Sequence, residues 1–429
     1  MNIRCLRIRV LILLVSLACF ASDLSAQKSY KFAFSTGQPD FTPILSTAIY
    51  SKEIGYGFEP GAALTTHPNS KQAKFSDSLT SEKPFYFSAA LPEGNYRVSV
   101  TFGASGTATE TTVKAELRRL MLEKVTTTKS KFVTQSFIVN IRTPKFSGGE
   151  VKLKDREKTS EQWAWDEKLT LEFNGARPTI CAIEITPVNV PTIFLLGDST
   201  ITDQPREPYN SWGQMLPRFF KPEIAIANHA ESGESIKSSL GAKRFDKVFS
   251  LMKRGDYLFL QFGHNDQKEK GEGIGAFTSY KSDLRKIVNE VRKRGGIPVL
   301  VTSMNRRNFD EKGNVFNTLG DYPEAVRQLA SEEKIALIDL HAMSKIFYEA
   351  LGAEKSSLAF KDGDATHHSN YGSYELAKCI VEGIKSNQLS IAKYLMKDVS
   401  PFDPHHPDPF ENFKVPASPL FTETKPLGN

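Results

Sequence analysis

The sequence predicts two folded units of different class: an all-β sandwich of jelly-roll type, then an α/β unit built on a parallel sheet. Three observations carry that expectation. The chain has 429 residues, beyond the ~100–200 of one ordinary domain. Short runs with period-two alternation recur up to about residue 188, as half-buried strands require. From Thr192 onward, nearly continuous apolar runs alternate with segments of helical period, the pattern of strands covered on both faces. With 40% hydrophobic and 24% charged residues the chain is neither disordered nor collagen-like. Its 55 basic and 49 acidic residues leave a net +6 that is small and dispersed, which argues against nucleic acid as a partner.

Residues 1–26 read as a secretory signal peptide. Arg4, Arg7 and Arg9 precede the apolar run Val10–Phe20, and Ala26 offers a small residue before Gln27. The run is shorter than the ~20 residues that span a bilayer. The product is therefore expected to be exported, to the periplasm or beyond, with no membrane span after cleavage. Cys5 and Cys19 fall in this segment, which leaves Cys181 and Cys379. Both sit in apolar stretches and are expected as buried free thiols.

Residues 27–188 form the β unit. Its strand candidates include Tyr30–Phe34, Phe85–Phe87, Tyr96–Phe102, Lys168–Phe173 and Cys181–Ile185, separated by turns such as Pro92–Asn95 and Asn174–Gly175. Trp163 and Trp165, two apart, are expected on one strand face. They suit either a platform for a sugar ring or core packing, and half-buried strands favour the second. Pro187 and Pro191 mark the boundary. Residues 191–397 carry strand candidates Ile193–Leu196, Tyr257–Phe262, Ile297–Ser303 and Ile335–Leu340, with helical spacing at Leu284, Ile287, Val288 and Val291 and again at Leu376–Ile384. Residues 398–429 are a Pro-rich tail with Phe402, Phe410, Phe413 and Phe421 interleaved, too aromatic for a disordered segment. It is expected to run extended over the surface with several Phe docked.

The chemistry gathers where strands of the second unit end, because ligands of open α/β sheets bind beyond the carboxyl ends of the strands. Gly197-Asp198-Ser199-Thr200 follows the first of them at once. A serine on such a turn presents its hydroxyl outward. Ser199 is not in a GxSxG elbow, and alone it could equally cap a helix. Three further blocks weigh against the capping role: Ser232-Gly233-Glu234-Ser235 in a turn, Gly263-His264-Asn265-Asp266 at a strand end, and Asp364-Ala365-Thr366-His367 before the last helix. Asp198 is expected to brace its turn. His405 and His406 could suggest a metal, but a Pro-rich surface tail favours simple exposure.

In order, these blocks, with Tyr209-Asn210-Ser211-Trp212-Gly213-Gln214 and Gln261–Asp266, resemble the SGNH (GDSL-type) hydrolases, and most closely the rhamnogalacturonan acetylesterases. The resemblance covers about residues 192–388. It implies a three-layer αβα fold, Ser199 as nucleophile, His367 as general base and acid, and Asp364 as orienter of the imidazole. It also implies an oxyanion hole of the Ser199 N–H, the Gly233 N–H and the Asn265 amide, with no metal and no cofactor. One departure is Glu234, where the family usually has Arg. The β unit loosely resembles galactose-binding-like sandwiches.

The leading expectation is a serine esterase that removes acetyl groups from a pectic polysaccharide. Its rivals are an acetylesterase for xylan or another glycan, a lipid esterase, and a non-catalytic carbohydrate-binding protein. The polar loops Thr202–Asn210 and Gln267–Gly275 disfavour the lipid reading. His264 is a candidate for lining the pocket, whereas His368 should point elsewhere. Arg306 and Arg307 follow the strand Ile297–Ser303, on the same rim as Ser199, and are candidates for binding a uronate carboxylate, which an Arg fork matches.

Overall fold

The computed structural model describes residues 29–35, 38–71 and 73–427. The expected signal peptide lies outside the described residues. The N-terminal part holds two five-stranded sheets packed face to face. One has the spatial order Val133–Ile141, Gly94–Phe102, Ala182–Pro187, Tyr30–Ala33, Thr42–Pro43. The other runs Tyr56–Phe58, Phe85–Ala90, Lys168–Arg177, Thr109–Ala115, Arg119–Thr127. All pairings are antiparallel except that of Tyr30–Ala33 with Thr42–Pro43. Alternate residues of both sheets, among them Phe32, Phe87, Val98, Val100, Leu171 and Ile183, fill one core. This is the sandwich that period-two alternation demands.

The second part is built on a parallel sheet in the spatial order Ala225–Asn228, Thr192–Gly197, Tyr257–Gln261, Ile297–Val301, Ala336–Ile338. Its strands are apolar throughout because both faces are covered. Ile193 and Leu195 point into a core with the helices Leu340–Lys355 and Asn370–Ser386. Phe194 and Leu196 point into another with Arg244–Leu251, Lys281–Lys293 and Tyr322–Glu333. The result is the expected αβα arrangement, with the short strand Ala225–Asn228 as an edge that the sequence reading missed. The strand order reverses around Thr192–Gly197, so a crevice opens at its carboxyl end.

One expectation is corrected and another holds. Trp163 and Trp165 do not share a strand face, because Gln162–Ala164 is a 3-10 turn. Trp165 is buried at the seam between the two parts, stacked on the guanidinium groups of Arg142 and Arg244 at 4.7 and 5.8 Å. Trp163 stays half-exposed against Tyr86, 5.3 Å between ring centroids. Cys181 and Cys379 are buried and free.

The seam is dense in buried charge. The Arg244–Glu157 pair, 2.6 Å apart, has no side-chain exposure at all. Arg118 pairs with Glu207 at 2.6 Å and donates to the Tyr209 carbonyl at 2.8 Å. Lys114 donates to the Pro416 carbonyl and to Ser418 Oγ, so the tail is locked into the same cluster. Along its path Phe402 and Phe413 pack on the α/β core, while Phe421 stays 60% exposed. Beyond Ser418, the Glu207 N–H donates to the Leu420 carbonyl and the Thr422 N–H to the Glu207 carbonyl. The tail thereby adds as a short extended strand to the loop before Tyr209.

Candidate active site

Gly197 ends its strand where only glycine fits. A Cβ there would lie 2.4 Å from the Gln261 carbonyl oxygen and 2.5 Å from Ile201. The chain then turns tightly, with Asp198 Oδ1 accepting from the Thr200 N–H at 3.0 Å and its hydroxyl at 2.7 Å. Asp198 thus braces the turn. Ser199 emerges beyond the sheet, with Oγ 2.9 Å from His367 Nε2. His367 Nδ1 lies 2.9 Å from Asp364 Oδ2, and Asp364 Oδ1 accepts from the Thr366 and His367 N–H groups.

Burial alone would push the Asp364 carboxyl up. The hydrogen bond and charge of His367 and the two N–H donors outweigh it, so the group is held well below the usual carboxylate range. It is therefore an anion at neutral pH and fixes which imidazole nitrogen carries the proton. The Tyr209 ring meets the His367 ring edge-on at 5.9 Å and limits its rotation.

Gly233 sits in the left-handed region at φ 78°, a turn that side-chain-bearing residues resist. Asn265 follows the strand Tyr257–Gln261, and its Nδ2 donates to the Glu234 carbonyl at 3.0 Å, which ties the two loops together. Among the described residues, no acceptor takes the Ser199 or Gly233 N–H. The fold thus brings Ser199, Gly233, Asn265, Asp364 and His367 to one edge of the sheet.

Not every expected contact residue joins them. His264 is completely buried beneath the turn, with Nε2 3.0 Å from the Met304 carbonyl and Nδ1 3.6 Å from Asp198, so it does not line the crevice. Arg307 turns away. Its guanidinium donates to Ser356 Oγ and the Ala353 carbonyl near the end of the helix Leu340–Lys355, and its backbone N–H holds the Ala365 carbonyl. Arg307 braces the loop that carries Asp364. Arg306 does stay at the site, half-buried, donating to Thr366 Oγ1 at 3.2 Å and Thr318 Oγ1 at 3.1 Å. His368 points elsewhere, bonded to Tyr348 Oη at 2.7 Å, and burial among aromatic rings pushes its imidazole down to about 3.

The β unit supplies residues that no motif announced. Lys154 Nζ donates to the Ser232 carbonyl at 2.7 Å and pairs with the buried Glu234 at 2.7 Å. Arg156 donates to the same carbonyl at 2.6 Å and pairs with Glu231. Both therefore hold the loop that presents Gly233. Gln204 Nε2 donates to the Ser199 carbonyl at 2.6 Å.

The GDSL-like Lipase/Acylhydrolase family matches residues 195–373. Rhamnogalacturonan acetylesterase RhgT of Bacillus subtilis (strain 168) is 38% identical over 219 residues, which are 48% of this chain and 94% of the relative. From the same organism, the probable rhamnogalacturonan acetylesterase YesY is 34% identical, over 48% of this chain and 98% of the relative. Its esterase YxiM is 26% identical over a longer span, 83% of this chain and 91% of the relative. The chain belongs to the GDSL-like lipase/acylhydrolase family, with rhamnogalacturonan acetylesterases among its relatives.

Proposed function

We propose that this protein is an exported serine esterase that removes acetyl groups from a pectic polysaccharide of the rhamnogalacturonan type. The observation that carries the reading is the unbroken Ser199–His367–Asp364 relay, with 2.9 Å at each step, beside Gly233 and Asn265. Serine is a weak nucleophile until a base takes its proton. His367 accepts that proton as Ser199 Oγ attacks the acetyl carbonyl. The Ser199 and Gly233 N–H groups and the Asn265 amide receive the oxyanion, a contribution of about 3–4 kcal/mol per donor in comparable sites. His367 then gives that proton to the departing sugar oxygen as its bond to the acetyl carbon breaks, which leaves a free sugar hydroxyl and acetyl-Ser199. Water, deprotonated by the same imidazole, releases acetate and regenerates Ser199.

The relatives named as rhamnogalacturonan acetylesterases support the substrate class. Arg306 adds a physical reason, since a cation at the rim of the crevice suits a polymer with one carboxylate per uronic acid. The residues before Gln27 support export, with 27–188 read as an accessory unit to the catalytic 191–397. Acetate release from acetylated rhamnogalacturonan, measured against acetylated xylan, tests the reading. The pectic polymer is expected to be the better substrate, and Arg306→Ala to lower kcat/KM on it at least fivefold. Faster hydrolysis of acetylated xylan would overturn the pectic assignment.

A further inference from the structure

Tyr209 does more than pack on the imidazole. The residue is 1% exposed, and its Oη finds no hydrogen-bond partner among the described residues, an expensive state for an enclosed hydroxyl. It lines a cavity of about 420 Å³ together with Gln204, which bonds the Ser199 carbonyl, and Ser232, which precedes Gly233. That volume falls within the ~300–1,000 Å³ of small-ligand sites. The tail segment Thr422–Leu427 forms one wall. Lys425 Nζ donates to the Gly363 carbonyl at 3.3 Å, and Leu427 packs over Gly233.

The opposite wall includes Ser160 and Arg206. These two, with Pro205, also line a second cavity of about 230 Å³ that extends to Trp163. Arg206 is exposed and, among the described residues, makes no ion pair or hydrogen bond. Its neighbours are engaged: Arg118 with Glu207, and Arg156 with Glu161 and Glu231. The two cavities thus adjoin at Ser160, Pro205 and Arg206, one reaching Gln204 and Ser232 next to the catalytic residues and the other reaching a half-exposed indole.

We propose that the two cavities are consecutive sugar subsites for an acidic glycan. Arg206 pairs with a uronate carboxylate, Tyr209 Oη hydrogen-bonds the sugar unit nearest Ser199, and the Trp163 face receives the next ring. This rests on the pectic reading above and adds where the polymer lies. It also makes the β unit and the tail parts of substrate recognition. The combination suits a uronate chain, because an Arg fork matches a carboxylate and an aromatic face suits the apolar side of a pyranose ring.

The test measures kcat/KM for acetylated acidic rhamnogalacturonan oligosaccharides, acetylated neutral xylo-oligosaccharides and 4-nitrophenyl acetate. Wild type, Arg206→Gln, Tyr209→Phe and Trp163→Ala are compared. Arg206→Gln is expected to reduce the ratio of acidic-oligosaccharide to nitrophenyl-ester efficiency at least fivefold, through KM, and to flatten its salt dependence. Tyr209→Phe keeps the ring on His367 and should reduce the same ratio, as should Trp163→Ala. A wild type that prefers acidic oligosaccharides, with ratios unchanged within twofold in all three variants, overturns the subsites and leaves the pectic reading standing. A wild type with no preference for acidic over neutral oligosaccharides overturns both.

Discussion

The two walls of the catalytic crevice are built by different rules. One is made of strand-end turns, in which Ser199, Asn265 and the Asp364–His367 loop are each placed by a few neighbouring residues. The other is made of side chains that reach across from the β unit, Lys154 and Arg156 onto the Ser232 carbonyl, and of the tail at Thr422–Leu427. The first wall holds the reacting groups and the second holds the backbone that presents Gly233. Each reacting group is set by its own turn, although Ser199 and His367 lie 168 residues apart, whereas the bracing of those turns comes from another unit.

The largest expected effect breaks the first wall alone. Ser199→Ala should leave the fold intact, because the side chain is small and its carbonyl bond to Gln204 remains. Hydrolysis of a small acetate ester should drop by about 10⁴-fold or more, as when other triads lose a member. Steady-state rates with matched circular dichroism spectra check this, and activity within tenfold of wild type would refute the serine relay.

A smaller effect tests the second wall. Burial pushes the Glu157 carboxyl up, but the hydrogen bond and charge of Arg244 hold it below its usual range. Glu157→Gln leaves the buried Arg244 with only the more distant Glu234, 3.9 Å away, as counter-charge, and breaking a buried pair costs about 3–5 kcal/mol. Urea unfolding should show the loss. Because Lys154 and Arg156 share the turn of Glu157 and hold the Gly233 loop, kcat on the small ester should fall several-fold as well. A variant with lowered stability and unaltered kcat would mean that the two walls are independent.

The smallest effect depends on pH. Asp266 accepts from the Ile236 N–H at 2.9 Å, and burial pushes its carboxyl up to about 7. Between about pH 4 and 7 the unfolded chain has released a proton that the folded one retains. This group therefore lowers stability as pH rises through that window. Asp266→Asn removes the ionisation and should be more stabilising at pH 8 than at pH 5, by on the order of 1–3 kcal/mol. Equal melting shifts at both values would show that the carboxyl ionises freely.

Much of the first wall was legible in the sequence. Gly197 and Ser199 adjoin a continuous apolar strand, and Asp364 is three residues from His367, so short-range geometry alone brings their groups together. Both sheets were readable for the same reason, since period two and continuous burial are local patterns. Trp165 was misplaced because its stacking on Arg142 and Arg244 comes from the seam, which strand periodicity does not report. Arg306 and Arg307 look equivalent in sequence, yet adjacent side chains diverge, and only packing against the helix Leu340–Lys355 decides that Arg307 turns away while Arg306 stays beside Thr366. His264 follows a strand end as Asn265 does, but drops beneath the turn toward Asp198. Lys154 and Arg156 gave no signal, being more than seventy residues from the loop they hold.

Ser418 has a consequence for the order in which the molecule is assembled. Its hydroxyl takes the Lys114 ammonium 304 residues earlier in the chain, and its backbone N–H reaches Glu207 at 2.8 Å. During synthesis the β unit and the sheet have both left the ribosome before this residue exists. Lys114 already lies 3.9 Å from Glu207 and 3.7 Å from Glu172, so the tail docks on a charge cluster that the earlier residues form, at the cost of ordering its own backbone. The tail thus acts as a clasp between the two units, and the wall over Gly233 is complete only when the clasp is fastened.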